Sequence, residues 1–266
     1  MIFSLITSEP EKANAAEDAG IQRIMIDLER NGKAQRQKGK GLFLSNHNLK
    51  DISPIKSTLR HAALVVRTNP INDHSAQEVE AVIQEGADYV MLPYFHSMHE
   101  VKTFHEIVKG RVKTILLLET VGAVNTLESI IENTPPDEFH LGLNDLSICL
   151  NQRSIFDLFL NGTVESIAAR LKSCKIPFGI GGVGAISHRG LPISPVLFLL
   201  EQIRLGATRA WLSRSFREHM DLHQLAREFK ELAAFSAQWE SADELKLKSC
   251  HESFLSEIAR YNSKIP

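Results

Sequence analysis

Lys113-Thr114-Ile115-Leu116-Leu117-Leu118-Glu119-Thr120 is the stretch on which the fold turns. A short unbroken apolar run reads as a strand buried on both faces, the habit of strands in parallel sheets. Just downstream, Val124, Leu127, Ile130 and Ile131 recur at helical spacing. Strand then amphipathic helix makes one βα unit, and a carboxylate, Glu119, stands at its junction.

The same unit repeats in both directions along the chain. Runs near 2–6, 22–27, 62–67, 88–92, 113–119, 138–142, 177–181 and 209–213 read as eight strands. Helical spacing fills most of the intervals, as at Val79, Val82 and Ile83. Ser194-Pro195 supplies an N-cap and first-turn pair, Gly206 closes that helix, and Gly20 and Gly86 follow two others. Strands alternating with helices imply parallel βαβ units. Eight of them predict an α/β fold of the (β/α)8 barrel (TIM barrel) type, with an open doubly wound sheet as the alternative from pattern alone. A length of 266 residues suits one such barrel, so 1–266 is expected to form a single domain. Residues 241–260, with Leu245, Leu247, Phe254, Leu255 and Ile258, read as an additional C-terminal helix. Closure does not need it. It is expected to cover an end or join a neighbouring subunit of a homo-oligomer.

Composition narrows the function classes. The net charge of −2 gives no reason to expect nucleic acid or an anionic membrane as partner. No apolar run is long enough for a membrane span, and Met1-Ile2-Phe3-Ser4-Leu5-Ile6 lacks the basic start and full apolar stretch of a signal peptide. Cys149, Cys174 and Cys250 are widely spaced and odd in number, as expected of reduced thiols in a cytoplasmic protein.

In a barrel of this kind, chemistry gathers where strands end. Polar residues cluster there: Asp27, Glu29 and Arg30 after the second strand, Arg67 after the third, Glu119 after the fifth, Asn144 and Asp145 after the sixth, and Ser213 and Arg214 at the end of the eighth. Parallel neighbours lie about 4.8 Å apart, so Glu119 and Asp145 can share one cation. Two hard oxygen ligands suit Mg2+ or Mn2+. The plainer reading makes Asn144 and Asp145 helix caps and Glu119 the partner of an arginine. Arg67 could hold a carboxylate or a developing enolate oxygen, or pair structurally with Glu29 or Glu119. His47, in Ser45-Asn46-His47-Asn48, is a candidate acid or base, or a neighbour of a cap. Gly179, Gly181 and Gly184 fit G-x-G-x-x-G, but the chain around them does not suit a dinucleotide fold. They read instead as a loop after the seventh strand, either tight or open to a substrate or phosphate. His96, His99 and His105 fall on a surface helix without carboxylate support.

Several segments together resemble the HpcH/HpaI aldolase and citrate lyase β-subunit family. They are Met25-Ile26-Asp27-Leu28-Glu29-Arg30, Val65-Val66-Arg67-Thr68-Asn69-Pro70, Ala87-Asp88-Tyr89-Val90-Met91-Leu92-Pro93, Leu117-Leu118-Glu119-Thr120 and Gly142-Leu143-Asn144-Asp145-Leu146-Ser147. They occur in the family's order between residues 25 and 147. The resemblance implies a pyruvate-type barrel with Glu119 and Asp145 as metal ligands. It also implies Arg67 near the reacting oxygen, and a substrate-carboxylate site at Gly142 and the backbone N–H groups of Asn144 and Asp145; Asp27, at the same mouth, is expected to bind substrate as well. Two positions depart from the pattern. Arg30 stands where aldolase members carry a histidine, and Tyr94 where citrate-lyase-type members carry a lysine. The resemblance therefore assigns neither the general base nor a coenzyme A site. The surroundings, including Gly32-Lys33 with Arg36-Gln37, are similar to a less characterised aldolase-like branch.

These readings predict a metal-dependent carbon–carbon lyase that cleaves or forms a 4-hydroxy-2-oxo acid through a pyruvate enolate. Arg67 would share the enolate charge, and Glu29, His47 or a bound water would take the hydroxyl proton; Arg30, always protonated, would instead contact the substrate or an acidic neighbour. A Schiff-base route needs a lysine buried at the mouth, and Lys113 lies at the wrong end of its strand. The alternatives are a citrate-lyase-type acyl-coenzyme A lyase or thioesterase, and a non-catalytic barrel that keeps the ligand site.

Overall fold

The computed structural model describes residues 1–36, 45–216 and 220–264; Gln37, named above, lies outside them. The eight strands are β1 (Ile2–Ile6), β2 (Arg23–Asp27), β3 (Ala63–Arg67), β4 (Tyr89–Leu92), β5 (Lys113–Leu118), β6 (Glu138–Leu141), β7 (Phe178–Val183) and β8 (Arg209–Leu212). Each pairs in parallel with the next, and β8 pairs with β1, closing the barrel. The expected α/β barrel is therefore the observed fold.

Alternation along each strand divides the side chains into two sets. Ile24, Ile26, Leu64, Val66, Val90, Leu92, Leu116, Leu118, Phe139 and Leu141 belong to the large core of the barrel wall. Met25, Val65, Tyr89, Met91, Ile115 and Leu117 form a separate cluster of the opposite parity. That second parity, continued upward, contains Asp27, Arg67 and Glu119. Continued downward it contains Arg23 and Glu138. There Arg23 forks onto Glu138 at 2.6 and 2.7 Å, and Arg209 Nε adds a third bond at 3.1 Å. A buried charge cluster thus fills the base of the barrel, apolar and aromatic side chains its middle, and the candidate site its mouth.

Two helical expectations change in detail. The helix after β5 is broken into Val121–Asn125 and Leu127–Asn133. Thr126, at the break, donates its hydroxyl to the Gly122 carbonyl at 2.9 Å, which competes with the helical ladder. Ser194 does precede the helix Pro195–Arg204, but its side chain makes no capping bond. Gly86 and Gly206 take the expected positive φ, 100° and 86°.

The C-terminal helix spans Glu244–Asn262, slightly later than expected, because Asp243 caps it by accepting the Lys246 N–H at 2.8 Å. It buries Leu247, Phe254 and Ile258, while Leu245 is 80% exposed and takes no part in the apolar face. It is fastened to the barrel's flank: Phe254 meets Phe159 and Phe198 at centroid distances of 5.2 and 6.1 Å. Glu257 accepts the Ser194 N–H, and Asn262 donates to Asp157 at 2.6 Å. The three cysteines are free and half-buried. Among the described residues no helix is long and apolar enough to cross a membrane.

Candidate active site

Register places Asp27 of β2 directly beside Arg67 of β3. The planar guanidinium forks onto the carboxylate, Nε to Oδ1 at 2.8 Å and Nη2 to Oδ2 at 2.7 Å. Arg67 Nη1 lies 3.4 Å from Glu29 Oε2, and the Arg67 guanidinium carbon sits 5.5 Å from the centre of the Trp211 ring. Pairing with Glu29 was one of the two readings open to Arg67. The principal partner, Asp27, was not considered, because adjacency across strands is invisible in a linear motif.

Lys33 was also missed as a site residue. Its Nζ lies 3.1 Å from Asp27 Oδ2 and 3.0 Å from Glu29 Oε2, and the residue is 3% exposed. The only usable signal was its spacing of four from Glu29 after a glycine. Its presence removes the ground on which a Schiff-base lysine was dismissed, since Lys113 is not the only lysine to weigh. The pairing supplies a better ground: two carboxylates engage this ammonium, so its nitrogen lone pair is not on offer to a carbonyl.

Glu119 follows β5 with the inward parity. Its Oε1 accepts the Tyr94 N–H at 3.0 Å, and Tyr94 adopts a left-handed backbone, φ 46°, to aim that donor. Glu119 Oε2 is accommodated by Gly142, where a Cβ would come within 2.6 Å of it. Gly142 thus makes room for the Glu119 carboxylate.

Asp145 lies in the first turn of the helix Leu143–Cys149 and is buried; Asn144, beside it, is exposed. Gly142 is the N-cap, and no side chain caps the helix. The reading of Asn144 and Asp145 as caps therefore falls.

Among the described residues, four buried acids, Asp27, Glu29, Glu119 and Asp145, share this mouth with the buried cations Arg67 and Lys33. Burial works against ionisation of Asp27, but Arg67 and then Lys33 outweigh it and hold the carboxyl well below its usual range. Burial likewise opposes ionisation of Glu29, and Arg67 and Lys33 again win, against the repulsion of Asp27. Glu119 goes the other way. Burial, then the charges of Glu29 and Asp145, raise it well above the ordinary carboxylate range despite Arg67 and Lys33.

His47 is buried, and its Nδ1 accepts the Asp27 N–H at 3.1 Å. In the neutral ring the proton then belongs on Nε2, so His47 offers no lone pair as a base. Arg30 is exposed and turns to the loop: Nη2 donates to the His47 carbonyl at 2.8 Å. The acids of β2 are paired with Arg67 and Lys33, and Arg30 is not the residue that neutralises them.

The glycine-rich segment is corrected. Gly179 and Gly181 lie inside β7 rather than in a loop after it. A Cβ at Gly179 would overlap His140 Nδ1. His140 stacks on Trp211 at 3.9 Å and donates Nε2–H to the Gly181 carbonyl at 3.0 Å. Gly179 thus makes space for His140 in the barrel interior, a Cβ at Gly181 would meet Leu143 of the outer core at 2.8 Å, and Gly184 alone of the three lies beyond β7. His99 and His105 lie on the helix Met98–Val108, and His96 precedes it.

Among the described residues no set of three or more His, Cys, Asp or Glu side chains is arranged as a metal centre. A comparison with curated proteins gives no match. The model of the HpcH/HpaI aldolase/citrate lyase family matches residues 1–156, which takes in β1 to β6 with Asp27, Glu29, Lys33, Arg67, Glu119 and Asp145, and the chain belongs to that family.

Proposed function

We propose that the protein is a divalent-metal-dependent carbon–carbon lyase that cleaves or forms a 4-hydroxy-2-oxo acid through a pyruvate enolate. The observation that carries this reading is the pair of buried carboxylates that follow adjacent strands: Asp145 after β6, and Glu119 after β5, whose ionised form is disfavoured by burial and by the charges of Glu29 and Asp145. Glu119 and Asp145 are the hard oxygen donors that would hold Mg2+ or Mn2+, an ion that commonly takes one or two carboxylates and leaves its other positions to water and substrate. Bound there, the ion would supply Lewis-acid stabilisation of negative charge on the keto oxygen.

The chain's own residues account for the rest. Tyr94 N–H fixes one oxygen of Glu119. Arg67 Nη1, the nitrogen that Asp27 does not engage, would share the charge of the same keto oxygen. The first-turn amides at Asn144 and Asp145 are candidates to hold the substrate carboxylate. In cleavage, the C4 hydroxyl proton passes to a base and the C3–C4 bond breaks. The electron pair becomes the enolate, which is then protonated at C3. With His47 occupied by the Asp27 N–H and Glu29 paired with Lys33 and Arg67, a bound water is the base that remains from the three candidates.

Deuterium exchange into the methyl group of pyruvate tests the reading without knowledge of the aldehyde. We expect exchange that needs Mg2+ or Mn2+, is stopped by a chelator, and is lost with metal binding in Glu119→Gln and Asp145→Asn. Wild-type protein that binds neither ion and exchanges nothing would sink it.

A further inference from the structure

The loop leaving β2 is built to return one side chain to the mouth. Arg30 and Asn31 donate their backbone N–H groups to Asn69 Oδ1 at 2.9 and 3.0 Å, and Asn69 is held in turn by Glu78 at 2.7 Å. Gly32 then turns the chain with φ 71°, a conformation glycine adopts without a Cβ penalty. The Lys33 N–H closes the turn on the Arg30 carbonyl at 3.2 Å. The side chain that follows reaches back over the acids of its own strand and touches both.

Arg67 alone cannot satisfy those acids. Its fork is spent on Asp27, and Glu29 is reached only at 3.4 Å. Two buried carboxylates repel, and either of them freed of its partner would pull the guanidinium toward itself. An ammonium, a compact charge with three donors, suits two carboxylates that no single plane serves.

We propose that Lys33 is a positioning residue, acting through Asp27 and Glu29 to keep the Arg67 guanidinium in the orientation the reaction uses. What Arg67 does for substrate rests on the lyase reading above; how Arg67 is held does not.

The test uses the full chain with Lys33→Met, Lys33→Gln and Lys33→Arg. The Arg67 Nε–H resonance, followed by nitrogen-15 NMR and assigned with Arg67→Lys, reports the guanidinium directly and needs neither metal nor substrate. We expect Lys33→Met to shift or broaden it and Lys33→Arg, which keeps the charge but not the compact ammonium, to restore it only in part. Metal-dependent exchange of pyruvate should lose about tenfold or more in kcat in Lys33→Met, with KM changed less than about threefold. In an Arg67→Lys background the same substitution should add less than about threefold, because both act through one group. If Lys33→Met does not fold, Lys33→Gln carries the same comparison. An unmoved Arg67 resonance, or losses that multiply in the double variant, would overturn the proposal. A wild type without exchange would defeat the lyase reading, and the resonance would still decide the role of Lys33.

Discussion

Arg67 can serve a substrate only with what Asp27 leaves over. Its Nε and Nη2 are committed at 2.8 and 2.7 Å, so replacing the fork disturbs a buried ion pair as well as any substrate contact. The sequence alone suggests that Arg67→Lys would harm turnover far more than stability; the geometry changes that expectation. A lysine keeps the charge but cannot bridge both oxygens of Asp27. We expect a loss of about 1–3 kcal/mol in unfolding free energy together with a fall in exchange rate per folded site. Denaturant melts and active-site-normalised rates check it, and an unchanged melt would show that Asp27 is satisfied elsewhere. Gly142 gives the complementary case. A Cβ there lands 2.6 Å from Glu119 Oε2 and 2.7 Å from Glu119 Cβ, so Gly142→Ala should push the carboxylate aside. Calorimetric titration with Mn2+ should show affinity reduced by about tenfold, of the order expected when a ligand's surroundings are disturbed. Wild-type affinity in a folded Gly142→Ala protein would mean that the carboxylate is free to move.

At the scale of the element, what was legible follows local periodicity and what was not follows contact across the barrel. The strand runs were readable because a short apolar stretch, such as Ile115-Leu116-Leu117-Leu118, recurring between helical patterns has few other fates in a chain of this kind. Glu119 and Asp145 stood out because a carboxylate is unusual at the end of such a run. The pairing of Asp27 with Arg67, the return of Lys33 and the occupation of His47 each depend on residues twenty or more positions away or on a turn's direction. β7 shows the same limit. Its glycines read as a loop that a ligand approaches, whereas they are hollows for a neighbouring side chain. His140 needs that hollow: it is buried, stacked on Trp211, and pushed down to about 3 by burial and by Arg67 and Arg23, against the Gly181 carbonyl. Gly179→Ala should therefore overpack the interior, costing about 1–3 kcal/mol. Gly182→Ala is the control, since a Cβ there meets nothing nearer than the Trp211 carbonyl at 3.4 Å. Equal denaturant midpoints for the two variants would remove this account of the β7 glycines.

At the scale of the whole molecule, the site and the fold have different boundaries. The family match ends at residue 156, and Asp27, Glu29, Lys33, Arg67, Glu119 and Asp145 all precede it. Yet β1 pairs with β2 on one side and with β8 on the other, and β6 pairs with β7. A fragment 1–156 would carry the complete proposed ligand set on a sheet with two bare edges. It would expose the inward cluster of Met25, Val65, Tyr89, Met91, Ile115 and Leu117, and it would lack Trp211, which packs partly against that cluster and lies beside Arg67. Open parallel edges and a stripped interior favour association over folding. We therefore propose that 1–266 behaves as one cooperative unit. The full chain should unfold in a single transition, with calorimetric and van't Hoff enthalpies in agreement. The fragment should show no cooperative melt and no stoichiometric Mn2+ binding, even though it keeps Glu119 and Asp145. Co-expression with residues 157–266 should restore both properties if closure by β7 and β8 is what holds the mouth in shape. A fragment 1–156 that is monomeric, melts cooperatively and binds Mn2+ as the full chain does would show instead that the first six strands organise the site on their own.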